Sequence, residues 1–156
     1  MKALIYVTSD KCYENRNLLR GYRENDRLGG RDPYSASKAA AEVLFYAYWQ
    51  SYFKNMPIGV ASVRAGNVIG GGDWAEDRIV PDAVRSLIHK KILKVRNPDA
   101  IRPWQHVLEP LHGYLMLAER LFADRHQFAS GWNFGPPQES ERTVGWIINK
   151  FLLRNQ

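Results

Sequence analysis

Asp32-Pro33-Tyr34-Ser35-Ala36-Ser37-Lys38, running on into Ala39-Ala40-Ala41-Glu42-Val43-Leu44, decides how this chain is read. Aspartate is a good N-cap, proline suits the first helical position, and the alanine-rich run is strongly helix-forming. The stretch predicts the start of a helix, with Tyr34 and Lys38 one turn apart on one face. Tyrosine is a poor base at neutral pH, but a neighbouring ammonium favours its phenolate. Upstream stands Thr8-Ser9-Asp10-Lys11, whose Ser9 hydroxyl could share a proton with the tyrosine and a substrate alcohol. That is equipment for removing a proton from an alcohol while hydride leaves its carbon. The spacing alone equally describes a surface tyrosine and lysine.

Outward from this helix the elements alternate. Residues 2–8 read as a strand, 12–31 as a polar loop rich in glycine and arginine, and 33–54 as a long helix with Val43, Leu44, Ala47 and Tyr48 toward a core. A strand at 58–64, a loop at 65–78, a helix at 79–91 with Pro81 in its first turn and a short strand at 92–96 follow. A helix at 109–123, a strand at 131–135 and an amphipathic helix at 141–154 complete the pass, with Trp146, Ile147 and Phe151 as its core face. Strands alternating with helices imply an α/β fold with a parallel sheet.

The chain has 156 residues, 45% of them hydrophobic, enough for one globular core. No apolar run is long enough to span a bilayer and no signal peptide precedes the first strand, so membrane association is not expected. The single Cys12 excludes an internal disulfide and suits a reducing cytoplasm. The formal charge is +6, but the basic residues are scattered, which argues against nucleic acid as a partner. His106, Glu109 and His112 are spaced like metal ligands, yet Pro110 interrupts the helix such a site needs, and no metal is expected. His89 and His126 read as solvated helix residues.

Four longer stretches carry a resemblance: Thr8-Ser9-Asp10-Lys11-Cys12-Tyr13-Glu14-Asn15, Arg64-Ala65-Gly66-Asn67-Val68-Ile69-Gly70-Gly71-Gly72-Asp73-Trp74, Arg102-Pro103-Trp104-Gln105-His106-Val107-Leu108-Glu109-Pro110 and Trp132-Asn133-Phe134-Gly135-Pro136. Together with Tyr34 and Lys38, the chain resembles the extended short-chain dehydrogenase/reductases, the NAD-dependent nucleotide-sugar epimerases and dehydratases, and among them the CDP-glucose 4,6-dehydratase family. The resemblance runs from about residue 7 to about residue 148. It implies the C-terminal part of a Rossmann-like parallel sheet with helices, plus part of the small substrate-binding domain: a catalytic part over about 1–64 and a substrate-binding part over about 65–156, interleaved.

The resemblance also implies roles. NAD is the cofactor and CDP-glucose, or a similar nucleotide sugar, the substrate. Tyr34 takes the C4 hydroxyl proton, Lys38 holds Tyr34 anionic and contacts the nicotinamide ribose, Ser9 hydrogen-bonds the oxygen, and Thr8 joins Tyr34 and Lys38 as a cofactor contact. Asp10 is the acid for the C6 hydroxyl and Lys11 the base for the C5 proton. Related dTDP-glucose enzymes carry a glutamate where Lys11 stands; a lysine base must be neutral, which burial or a neighbouring cation such as Lys38 favours. Asp10 and Lys11 also fit a structural ion pair. Asn67, Arg78 and Arg102 are the substrate contacts implied; Arg78 also fits a helix surface, and Trp104 fits either a nucleotide base or the core. In related enzymes the Tyr/Lys helix joins a four-helix bundle, which implies a homodimer through Phe45, Tyr48, Trp49 and Tyr52.

The family's first strand, glycine turn and helix, which hold the NAD pyrophosphate, are expected before residue 1, and more substrate domain after Gln156. The expectation is an internal piece lacking the N-terminal NAD-binding half, incomplete or inactive alone. Residues 70–75 fit Gly-x-Gly-x-x-Ala after an apolar run at 58–63, with Asp99 downstream. Asp73, Glu76 and Asp77 would crowd that turn with negative charge and Trp74 is bulky, so a substrate loop is the better reading. Two alternatives stay open: a nucleotide-sugar 4-epimerase, needing Tyr34 and Lys38 without the acid/base pair, and a catalytically silent dimerisation or interaction remnant.

Overall fold

The computed structural model describes residues 1–153. In chain order its elements are β1 (Ala3–Val7), α1 (Pro33–Ser51), β2 (Gly59–Ala65), β3 (Val68–Ile69), α2 (Ile79–Ile88), β4 (Ile101–Pro103), β5 (Gln105–His106), α3 (Leu108–Ala123), β6 (Gly131–Phe134), β7 (Glu141–Thr143) and α4 (Val144–Leu153). Short 3-10 turns occupy Asp10–Cys12, Phe53–Asn55 and Gln138–Ser140. Two compact units form. One comprises Met1–Gly66 and Leu108–Gly135; the other comprises Asn67–Val107 and the chain from Pro136 onward. No described helix is long and apolar enough to cross a membrane.

The first unit is built on a parallel sheet in the order β1-β2-β6, as the alternating elements require. α1 is the crossover between β1 and β2. It starts where the sequence demands: the Asp32 carboxylate accepts the Ser35 amide at 3.0 Å, and Pro33 takes the first turn. β2 is buried from Gly59 to Arg64, as a central strand should be. Its alternation sends Ala61 and Val63 to one face, where they pack with Leu117 and Leu121 of α3 under Ile5, Tyr114 and Trp132. Ser62 and Arg64 turn to the other face, toward Glu42 of α1. Two glycines permit the approach of α3: a Cβ on Gly59 would meet the Leu121 carbonyl oxygen at 2.6 Å, and one on Gly113 would strike the Phe134 ring at 2.3 Å.

Several expectations need correction. α1 ends at Ser51 rather than 54, the chain tightening into the turn at Phe53–Asn55. Val43, Leu44, Ala47 and Tyr48 do not face a core; all four are exposed. The residues α1 buries are Ala39 and Glu42, because its inward face meets a polar pair on β2 rather than an apolar one.

In the second unit β3 pairs parallel with β5 and β4 pairs antiparallel with β7. α2 stops at Ile88, ended by Lys90 in the left-handed region at φ 51. The strand expected at 92–96 does not form; Ile92 is fully solvated, and the pairing falls to Ile101–Pro103, which has Glu141–Thr143 as a partner. Residues 141–143 consequently belong to that strand and the last helix begins at Val144, capped by the Thr143 hydroxyl, which accepts the Trp146 amide at 3.1 Å. Residue 154 of the expected helix lies outside the described residues. On α4 the buried side chain is Ile148, while Trp146 lies outward between the Arg142 and Lys150 cations.

Candidate active site

The end of β1 and the turn after it hold the first set of candidate side chains. Ser9 is buried and caps the turn Asp10–Cys12, its Oγ accepting the Lys11 amide at 3.2 Å and donating to Asp10 Oδ1 at 3.1 Å. Lys11 Nζ donates to both Asp10 oxygens, at 3.1 and 3.3 Å, so the two form a half-exposed ion pair. α1 packs against this turn. That contact brings the helix of Tyr34 and Lys38 to the segment of Ser9, Asp10 and Lys11. Lys38 Nζ lies 5.7 Å from the Tyr34 ring centroid, and Tyr34 is 56% exposed. Among the described residues neither the Tyr34 hydroxyl nor the Lys38 ammonium hydrogen-bonds a protein group. A hydroxyl and an ammonium free on one helix face are a donor set that suits a ribose and a substrate alcohol, and so fit the nicotinamide end of the cofactor. Residues 70–75 do not fit its pyrophosphate: they follow a two-residue strand and do not open a helix, since α2 begins only at Ile79, and the Asp73 carboxylate already accepts the Ala75 amide and pairs with Arg78.

Behind the turn lies a buried polar network that the sequence reading missed. Arg64 Nη2 meets Glu42 Oε2 at 2.6 Å, both side chains almost wholly buried. Glu42 also accepts the Ser62 hydroxyl at 2.8 Å and, on its other oxygen, the Thr8 hydroxyl. Arg64 Nη1 donates to the Tyr13 hydroxyl at 2.6 Å and to the Glu24 carbonyl at 3.1 Å; Tyr13 in turn donates to Asn133 Oδ1 at 2.7 Å. Burial pulls Glu42 upward, but the hydrogen bonds from Arg64 and Thr8 outweigh it and hold the carboxyl below its ordinary range. Burial pushes the Cys12 thiol up to about 12, with Arg64 offsetting part of the effect. Burial likewise raises the Tyr13 phenol against the pull of Arg64. Thr8, expected at the cofactor, thus spends its single hydroxyl proton inside the protein. The available signal was periodicity: Ser62 and Arg64 alternate with Ala61 and Val63 in a strand that is otherwise apolar.

Asn67, Arg78 and Arg102 belong to the second unit. Asn67 is half-buried between β2 and β3. Arg78 stands at the N-terminus of α2, donates to Asp73 at 2.9 Å and keeps most of its surface in solvent. Arg102 is exposed on β4, directly across from Arg142 on β7. Two like charges opposed on a ladder repel, which makes this spot attractive to an anion. Trp104 donates from its indole to the Arg142 carbonyl at 3.0 Å and so ties β4 to β7.

The profile of the NAD dependent epimerase/dehydratase family matches residues 1–130. A CDP-glucose 4,6-dehydratase from Salmonella typhimurium is 52% identical over 97% of this chain, which spans 44% of that protein's length. Among solved structures, dTDP-glucose 4,6-dehydratase from Bacillus anthracis in complex with NAD superposes with a TM-score of 0.74 at 22% identity, covering 97% of this chain and 45% of its own. UDP-glucuronic acid 4-epimerase from Bacillus cereus superposes with a TM-score of 0.77 at 14% identity, covering 96% and 45%. At such identities the two structures speak for the fold alone.

Proposed function

The chain belongs to the NAD dependent epimerase/dehydratase family, and from that premise we propose that it carries the proton-transfer groups of a CDP-glucose 4,6-dehydratase. The observation behind the reading is the packing of α1, with Tyr34 and Lys38, on the turn that presents Ser9, Asp10 and Lys11. The 52% identity with the Salmonella enzyme supports the choice of substrate.

When bound, NAD supplies a hydride acceptor at C4 and returns that hydride at C6. The rest falls to side chains of this chain. Tyr34 takes the proton of the C4 hydroxyl; Lys38, one turn away, favours the phenolate by charge and is free to hold a ribose hydroxyl. Ser9 orients the C4 oxygen. The C4 ketone acidifies the C5 hydrogen, Lys11 takes that proton, and Asp10 gives one to the departing C6 hydroxyl, so water leaves across C5 and C6. Lys11 must be neutral and Asp10 protonated for this step. In the ion pair both are charged, and shifting one proton from Lys11 Nζ to Asp10 yields both working forms at once. Substrate that covers the half-exposed pair favours that shift, because desolvation penalises the two charges. In the second unit Arg78 would meet the diphosphate, a guanidinium fork matching phosphate oxygens, Arg102 the nucleotide, and Asn67 the sugar or the diphosphate. The same reading places the enzyme in the cytoplasm and makes it a homodimer through α1.

A chimera tests the assignment: this chain replaces the matching segment of the Salmonella enzyme, and CDP-glucose with NAD is supplied. The expected product is CDP-4-dehydro-6-deoxyglucose. Asp10→Asn and Lys11→Met should stop loss of water while C4 oxidation, read as NADH absorbance, persists; Tyr34→Phe should stop both. A folded chimera that exchanges C4 epimers without losing water would make this an epimerase.

A further inference from the structure

We propose that the buried Glu42–Arg64 pair is the positioning device of the catalytic turn, clamping both ends of residues 9–12 to α1 and so setting where Ser9 stands relative to Tyr34 and Lys38. The two residues that flank the turn are Thr8 and Tyr13. Glu42 holds the first through its hydroxyl, Arg64 holds the second at 2.6 Å, and the 2.6 Å ion pair joins the two grips into one bar. Glu42 lies four residues beyond Lys38 and eight beyond Tyr34, so the grip sits on the helix face that carries the reacting pair. The planar guanidinium fork fixes two directions at once, which a lysine cannot do. Stability alone does not explain the pair: replacing a buried ion pair by well-packed apolar side chains is often neutral or stabilising, and fixing one arrangement is what such pairs can add. Tyr13 extends the bar to β6 through Asn133, so the turn is referenced to the sheet as well as to the helix.

Calling the turn catalytic rests on the function proposed above; the clamp itself is read without any turnover. Cys12 is the one cysteine of the chain and is fully buried in this turn, so its rate of labelling by a thiol reagent reports the turn's opening. In the wild-type chain Cys12 should be protected. Thr8→Val, Tyr13→Phe and Arg64→Lys each release one grip and should speed labelling at least about tenfold, the worth of a hydrogen bond to a charged group. That opening should be local, with a rate insensitive to low urea. Ser62→Ala is the control: it removes a 2.8 Å hydrogen bond to the same Glu42 carboxylate but none to the turn. It should lower the urea midpoint without speeding labelling in native buffer. Free labelling of the wild type, or acceleration by Ser62→Ala equal to that by Tyr13→Phe, would overturn the clamp. Loss of CDP-glucose turnover in the chimera with Cys12 protection intact would sink the function and leave the clamp standing.

Discussion

Glu42 is 2% exposed, as deep as the apolar core, and yet its carboxyl is held in the charged form. Three donors face it, from Arg64, Thr8 and Ser62. Glu42→Gln leaves the Arg64 cation buried without its counter-ion, a change that costs about 3–5 kcal/mol and should appear as a lower urea midpoint. The pH dependence has a definite sign. An unfolded glutamate titrates near ~4.3, and Glu42 in the fold titrates lower. Its contribution is therefore complete above about pH 4.3 and drains away as pH falls through the folded value. The gap in stability between wild type and Glu42→Gln should narrow below about pH 4; a gap constant down to about pH 2 would contradict the assignment. Tyr34, Lys38 and the Ser9 turn were legible because their spacing and local order carry the pattern. The Glu42–Arg64 contact, 22 residues apart in sequence, was not, because only the crossover from α1 to β2 makes the two residues neighbours.

Among the elements, α3 and β6 show how a single absent side chain sets a packing distance. Gly113 sits in the middle of α3, where glycine costs about 1 kcal/mol against alanine, and its place is explained by the Phe134 ring against it. Gly113→Ala should gain that propensity but overpack the ring for about 1–3 kcal/mol. The expected net result is destabilisation in thermal unfolding. In a Phe134→Leu background the same substitution should be neutral or stabilising; a loss of equal size in both backgrounds would show that the ring is not the cause. The start of α1 was readable, since Asp32 and Pro33 act locally. The exchange of 92–96 for 101–103 as the strand was not, because a short strand forms only where a partner ladder exists, and here that ladder is Glu141–Thr143.

For the molecule as a whole, the exposed face of α1 carries the proposed association. Tyr48 and Tyr52 meet with their rings tilted by 47°, 5.5 Å between centroids, and stand in solvent beside Leu44. Phe45, expected on the same face, is instead half-buried against Tyr6, and Trp49 lies under Lys54. Sedimentation velocity at micromolar concentration should show a dimer, and Tyr48→Glu with Tyr52→Glu should return it to a monomer of unchanged circular dichroism. A wild-type monomer at tens of micromolar would rule out this face.

By itself the sequence determined the α/β class, the capped start of the Tyr34–Lys38 helix and the succession Ser9-Asp10-Lys11 after the first strand. Capping, spacing and alternation are local, and they act before any distant segment arrives. The tertiary structure decided which face of α1 is buried, that Arg64 on the central strand is the buried ion-pair partner of Glu42, and that Thr8 and Tyr13 are held from behind. Those outcomes depend on desolvation and on strand pairing between residues far apart in the chain, and neither is defined until the sheet has formed.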